Sequence, residues 1–434
     1  MLEKDLIAKF SKICYNNCKP KEQETTMRLD PIITHLSDTD FYKFTIGQYI
    51  YHWHPRDFAR WAFKCRNPNV KFTPEMIQEI KDQIDHFCTL KFTSEELDYL
   101  ASIKFIKHDY IENFLRFWHP VRSEIHINEI GMQSYNDCGL AIECEGTWLN
   151  TSFYEIAILS IVNQTYFAFK FGEGARDIEF QQKTIEKFSK VKDGTFNLGV
   201  WSEFGTRRRY SYAMQDWLIK YIVDQKIPGF VGTSNVWLAK KYGVKATGTL
   251  AHECIMAQQG RPQFAPAYSN KFVMDEWYKE YGVLPGVFLG DTLGTDLFLK
   301  DFTLTFAHIF NGVRHDSGDP LEWGEKIIKH YENLGIDPKT KTLLFSDSLD
   351  FERANRLYSH FKDRVHVAFG IGTYLAGVQC NTEECHPLNI VCKMISCNGF
   401  PTAKISDTPS KGMCRDNEYV EYLKRCINWR MKYN

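Results

Sequence analysis

From about residue 196 to residue 372 the chain repeats one pattern: a short apolar run, a loop rich in small and charged residues, then an amphipathic stretch. Val231 closes one apolar run, Gly232-Thr233-Ser234 supplies turn and N-cap chemistry, and 235–242 reads as a short helix stopped by Gly243. The apolar runs at 244–246, 286–289, 310–313, 342–345 and 365–369 repeat the step. Helices are expected near Thr295, over 321–331 behind Pro320, and up to about residue 361. Strand, polar loop and helix in succession predict parallel β/α units, whose loops after the strand C-termini open on one face. Loops far apart in sequence therefore converge on one mouth.

The flanks are patterned differently. Helical periodicity at 74–87 and 94–100 gives way to alternating stretches at 123–127 and 140–144, and strand-like runs return at 388–394 and 403–406. The predicted class is α/β: an irregular parallel β/α barrel plus an α+β sandwich domain built from both chain ends. Residues 1–150 form the N-terminal part of the sandwich, 151–375 the barrel, and 376–434 the return to the sandwich. No internal repeat or low-complexity tract interrupts this plan.

The 434 residues carry 53 basic and 54 acidic side chains, so no net field draws the chain toward nucleic acid or an anionic membrane. No apolar run approaches the ~20 residues of a membrane span, and the acids in Met1-Leu2-Glu3-Lys4-Asp5 do not suit a signal peptide. A cytoplasmic protein is expected. The 13 cysteines form an odd set in a long chain without a secretion signal, which points to reduced thiols. Cys380, Cys385, His386, Cys392 and Cys397 are spaced more loosely than zinc sites require.

With charge balanced globally, local clusters mark local anion sites. Glu203-Phe204-Gly205-Thr206-Arg207-Arg208 sets guanidinium groups beside an aromatic ring, and Gly248-Thr249-Leu250-Ala251-His252-Glu253 leaves a histidine beside a carboxylate after a strand. Gly370-Ile371-Gly372-Thr373 lets backbone amides approach a phosphate, and Ser346-Asp347-Ser348 offers hydroxyls to the same anion. Arg314 stands at a strand end. Asp316 and Asp319 suit ribose hydroxyls or a magnesium ion escorting a diphosphate, although Asp316-Ser317-Gly318-Asp319-Pro320 also fits helix capping.

Together these segments closely resemble nicotinate phosphoribosyltransferases, the ATP-coupled enzymes of pyridine nucleotide salvage, in their shorter bacterial and fungal form. The resemblance runs from Asp38-Thr39-Asp40-Phe41-Tyr42-Lys43 to Ala403-Lys404-Ile405-Ser406-Asp407. It implies a type II phosphoribosyltransferase-like barrel, with His252 transiently phosphorylated by ATP, Arg207 on phosphate, Phe204 stacked on the pyridine ring, and Tyr42 closing the other face from a partner subunit in a head-to-tail homodimer. The expected catalytic set is His252, Glu253 and Asp316, with Glu253 orienting His252 or serving as a helix-start acid. The expected substrate contacts are Tyr42, Phe204, Arg207, Thr233, Ser234, Arg314, Ser317, Ser346, Asp347, Gly370, Gly372 and Thr373. Magnesium is expected to arrive with phosphoribosyl diphosphate, and no residue is assigned as a dedicated metal ligand. At the turn where enzymes preferring nicotinamide carry an acid, this chain has Ser234, which favours the acid substrate. The rival readings are a nicotinamide or quinolinate phosphoribosyltransferase, and a catalytically silent nucleotide-binding scaffold.

Overall fold

A computed structural model describes residues 27–433 apart from 262–264, 285, 380–384 and 409–410; the chain start and Cys380 lie outside the described residues. Its N-terminal half begins with helix α1 (Tyr42–Trp53), buried over most of its length. Strand β1 (Phe58–Cys65) follows, then helix α2 (Pro74–Phe87), which starts where the sequence pattern places it: Thr73 accepts from the Met76 amide and Pro74 holds the first turn. Strands β2 (Ile125–Ile127) and β3 (Ile142–Thr147) run antiparallel beside β1. Helix α3 (Tyr154–Phe171) is apolar nearly all round and correspondingly buried.

The predicted β/α repeats form a second sheet, of seven parallel strands curled as a half-barrel. They are β4 (Val200–Glu203), β5 (Phe230–Thr233), β6 (Lys245–Ala246), β7 (Val287–Leu289), β8 (Gly312–His315), β9 (Thr342–Phe345) and β10 (His366–Ile371). Their order is β6-β5-β4-β10-β9-β8-β7, so chain neighbours pair throughout, β10 closes on β4, and the ring opens between β6 and β7. The segment crossing that opening carries helix α6 (His252–Gln259).

Local chemistry sets the helix limits. Helix α4 (Asp177–Lys192) packs outside the half-barrel, and α5 (Val236–Tyr242) is capped by Asn235, which accepts from the Leu238 amide, and ended by Gly243 at φ 63°. Asp319 caps α7 (Pro320–Asn333), accepting from the Leu321 and Glu322 amides. This duty falls on Asp319 and leaves Asp316 and Ser317 to other contacts. Asp350 caps α8 (Phe351–Phe361), and the four-residue α9 (Thr373–Ala376) follows β10.

The chain then returns to the first sheet: β11 (Ile390–Cys397) lies antiparallel to β1, and β12 (Phe400–Pro401) edges it, before helix α10 (Asn417–Tyr433). Residues 403–406 are not a strand as the pattern suggested; Lys404 makes only an isolated bridge with Met413. Cys385 is disulfide-bonded, which corrects the expectation of reduced thiols at that position, while Cys392 and Cys397 are free and buried in β11. Among the described residues no helix is long and apolar enough to cross a membrane.

Candidate active site

A cavity of about 750 Å³ lies between the two sheets. The half-barrel lines it with loops leaving the C-terminal strand ends: Phe204, Arg207 and Arg208 after β4, Ser234 after β5, Arg314 and Asp316 at β8, Ser346 and Asp347 after β9, and Gly372, Thr373 and Tyr374 after β10. His252 enters from the gap in the ring, at the first turn of α6. The facing wall comes from the other sheet and its continuation: Lys64 and Arg66 at the end of β1, Lys393 on β11, and then Lys404 and Lys411. Asp40 and Tyr42 complete it from the start of α1.

His252 is the most constrained of these groups. Its Nε2 lies 2.9 Å from Asp291 Oδ1, 2.8 Å from Lys404 Nζ and 3.4 Å from Asp316 Oδ2. Lys404 also reaches Asp291 and Asp316, at 3.0 and 3.3 Å. Burial, followed by the Lys404 charge, pushes His252 down to about 4, so the imidazole is neutral near pH 7 and keeps a nucleophilic lone pair. Burial alone raises Asp291 and Asp316, yet His252 and Lys404 outweigh it and hold both carboxyls well below their ordinary range.

The ligand atoms of His252, Asp291 and Asp316 lie within 4.8 Å of one another, the one such metal-holding group among the described residues. Two hard carboxylate oxygens suit magnesium. The Lys404 ammonium already sits against both, so a magnesium ion there would take over charge that Lys404 now balances.

Deeper in the cavity, Phe204 is held by its amide bonding to the Ile371 carbonyl at 2.9 Å. A Cβ on Gly370 would come within 2.3 Å of the Phe204 ring, which is why a residue without a side chain stands there. Tyr42 donates to Glu155 Oε2 at 3.2 Å and lines the cavity of its own chain, which corrects the expectation that a partner subunit supplies this tyrosine. Ser234 donates to Asp40 Oδ1 at 2.6 Å, so a carboxylate stands behind the serine after all; burial raises it, while Ser234 and Arg207 oppose that rise. Arg314 Nε is buried without a hydrogen-bond partner among the described residues.

Four expected contacts do not line the cavity. Glu253 points away from His252, accepting from Lys43 and Ser152 at 2.5 Å each, and so does not orient it. Thr233 donates to the buried Glu203, Ser317 donates to Asp291 at 2.6 Å, and Gly370 lies beneath Phe204. Asp291 and Lys404, which hold His252, were missed, as were Lys64, Arg66, Lys393 and Lys411. Asp291 had a readable signal, an acid directly after an apolar run; the lysines of the second sheet had none, because only long-range pairing brings them to the cavity.

The nicotinate phosphoribosyltransferase (NAPRTase) family matches residues 200–429, and the N-terminal domain of that family matches residues 37–163. The chain is 42% identical over 395 residues to a nicotinate phosphoribosyltransferase of Ralstonia nicotianae, covering 91% of this chain and 98% of that one. A counterpart from Ectopseudomonas mendocina is 41% identical over 404 residues, covering 91% and 96%. Among solved structures, nicotinate phosphoribosyltransferases from Vibrio cholerae and Porphyromonas gingivalis superpose with TM-scores of 0.84 and 0.82, at 32% and 30% identity. They cover 93% and 92% of this chain, and 96% and 100% of theirs.

Proposed function

The chain belongs to the nicotinate phosphoribosyltransferase family, and from that premise we propose that it joins nicotinate to the ribosyl carbon of phosphoribosyl diphosphate with ATP coupled through a phosphohistidine at His252. Nicotinate, phosphoribosyl diphosphate, ATP and water become nicotinate mononucleotide, diphosphate, ADP and phosphate. The observation that carries the reading is the neutral, buried His252 held by Asp291 and Lys404 in a cavity otherwise rich in cations.

The pyridine nitrogen attacks C1 of the ribosyl group as diphosphate leaves, through an oxocarbenium-like state. The leaving group needs positive charge more than it needs a base, so positioning and electrostatics carry the catalysis. Lys393, Arg66, Arg208 and Lys411 supply that charge, with Ser346 and the loop of Gly372 and Thr373 beside them. Asp316 is available to the ribose hydroxyls. Phe204 and Tyr42 offer ring faces to the pyridine, and the unpartnered Nε of Arg314 suits its carboxylate. Asp291 and Asp316 would hold magnesium, which when bound neutralises diphosphate charge.

In the coupling half-reaction the His252 lone pair accepts the γ-phosphoryl group of ATP, and ADP leaves. Asp291 accepting from Nε2–H fixes the tautomer that leaves the lone pair on Nδ1, and the Lys404 ammonium beside Nε2 keeps positive charge next to the ring. The same reading includes a homodimer in the cytoplasm. Since Tyr42 lies in the cavity of its own chain, the ring site does not depend on a shared tyrosine.

Purified protein incubated with nicotinate, phosphoribosyl diphosphate and magnesium, with and without ATP, tests the proposal. Mononucleotide formation stimulated by ATP in the wild type, with that stimulation absent in His252→Ala, is expected. Product from nicotinamide or quinolinate in place of nicotinate moves the assignment to a rival substrate; no product from any of them moves it to the silent scaffold.

A further inference from the structure

Lys187 on α4 takes no part in the chemistry above, yet it reaches the back of the phosphate-facing segment. Its Nζ donates to the Tyr374 carbonyl at 2.7 Å and to Gln379 Oε1 at 2.5 Å, and stands 3.8 Å from the centroid of the Tyr374 ring. Gln379 Nε2 in turn donates to the carbonyls of Tyr374 and Gly377, at 2.9 and 3.0 Å. These are carbonyls that a helix as short as α9 leaves without intrahelical partners. Gly372, Thr373 and Tyr374 line the cavity on the other side.

All three acceptors around Lys187 are neutral, and no carboxylate of the described residues lies within ion-pair distance of it. An ammonium that loses water without gaining an opposite charge is costly to keep protonated. Burial, and then Lys183 one turn earlier on α4, push Lys187 down to about 7 against the opposing charge of Asp350 at the start of α8. The Tyr374 phenol is raised by burial to about 12 and stays neutral. Lys187 is nonetheless only partly covered as a residue, so a reagent reaches its Nζ when the two hydrogen bonds to Tyr374 and Gln379 open.

We propose that Lys187 is a positioning residue that clasps the Gly372 to Tyr374 segment through its charge, and that it is an acyl-acceptor site at which an acyl thioester opens the clasp. The Nζ lone pair attacks the thioester carbonyl, an amide C–N bond forms, the C–S bond breaks, and the amine proton leaves with the thiol. The resulting amide carries no charge for the Tyr374 carbonyl or ring. The consequence for phosphoribosyl diphosphate rests on the function proposed above, whereas the modification itself does not.

The test treats the intact protein with S-acetyl-N-acetylcysteamine at about pH 7.5 and follows each lysine by peptide mass spectrometry. Lys187 is expected to acetylate at least about fivefold faster than Lys190 and Lys192, exposed lysines on the same helix. At about pH 6, where Lys187 is charged, the acetylated protein is expected to show a KM for phosphoribosyl diphosphate raised about fivefold over the untreated protein with kcat within about twofold, and Lys187→Gln to reproduce it. In the wild type that KM climbs as pH rises through about 7, while in Lys187→Arg, whose charge does not titrate there, it stays flat. Acetylation of Lys187 no faster than that of Lys190, or an unchanged KM in both the acetylated protein and Lys187→Gln, overturns the proposal. A protein inactive on nicotinate refutes the function while the acetylation rates remain readable.

Discussion

The two walls of the cavity differ in kind. The half-barrel contributes a mixed set: Asp316 and Asp347, the Phe204 ring, Arg207 and Arg208 just beyond strand ends, Arg314 within β8, and His252 at the start of α6 in the gap of the ring. The antiparallel sheet and its continuation contribute Lys64, Arg66, Lys393, Lys404 and Lys411 and, among the described residues, no acid; Asp40 joins this wall from the start of α1. In the function proposed above, the nucleophile His252 and its partner Asp291 both belong to the half-barrel side, and Lys404 reaches them from the other. In that function, most of the charge for phosphate sits on the sheet set against them. The walls are tied together at a few points: Lys404 meets His252 and Asp291, Lys411 pairs with Asp347 and donates to the Asp316 carbonyl, and Arg208 donates to the Ile390 carbonyl at 3.0 Å.

Substitutions on each wall separate these roles, and the barrel wall should give the larger effect. Asp291→Asn removes the charged partner of His252 while keeping its volume. The ATP-stimulated rate is expected to fall about 100-fold, with the ATP-independent rate changing far less, when both are measured side by side. On the sheet wall, Lys393→Met should raise the KM for phosphoribosyl diphosphate about tenfold and leave kcat largely intact. Lys43 stays 2.8 Å from Glu155 but is shared with Glu253, so the variant leaves two buried carboxylates to one ammonium, and thermal unfolding measured beside the kinetics separates a loss of folding from a loss of phosphate charge. Equal losses of kcat for both variants would erase the distinction between the walls.

Lys404 belongs to the sheet side but acts on the barrel, so it tests the join. Its charge helps hold His252 down at about 4, against an ordinary value of 6.5. Below its pKa the ring is protonated and loses its lone pair, so the coupled rate falls on the acid side. Lys404→Met removes the repelling charge, raises the histidine toward its ordinary value, and should move the acid limb of the rate profile to higher pH. A limb that stays in place would mean that burial alone sets the histidine.

How far each wall could be read from sequence follows from the same contrast. Phe204, Arg207, His252 and Asp316 were legible because they interrupt apolar runs at the ends of parallel strands, where topology guarantees a common mouth. Lys393 lies inside an apolar strand, and only the pairing of β1 with β11, Lys64 opposite Val391 and Cys65 opposite Ile390, brings it to the cavity. No local periodicity encodes a contact across more than 300 residues. Glu253 was misassigned for the opposite reason: it is adjacent to His252 in sequence, but consecutive residues on a helix point about 100° apart, and Glu253 turns to Lys43. The cap of α7 shows a finer limit, since the sequence offered Asp316, Ser317 and Asp319 for one duty and only geometry chose Asp319.

The smallest expected effect concerns the ring site, where backbone more than charge does the positioning. Gly370 is in β10 with ordinary strand geometry, so the reason for glycine is space: an added Cβ would meet the Phe204 ring at 2.3 and 2.4 Å. Contacts that close cannot persist, and neighbouring Gly372 is confined in turn by the Phe204 carbonyl at 2.7 Å, so the ring rather than the strand must give. Gly370→Ala should therefore tilt Phe204 within the cavity, raising the KM for nicotinate about fivefold while the KM for phosphoribosyl diphosphate and the ATP stimulation stay near wild type. A change confined to phosphoribosyl diphosphate would instead mean that this stretch of β10 serves the phosphates alone, and the aromatic site would have to be sought nearer Tyr42.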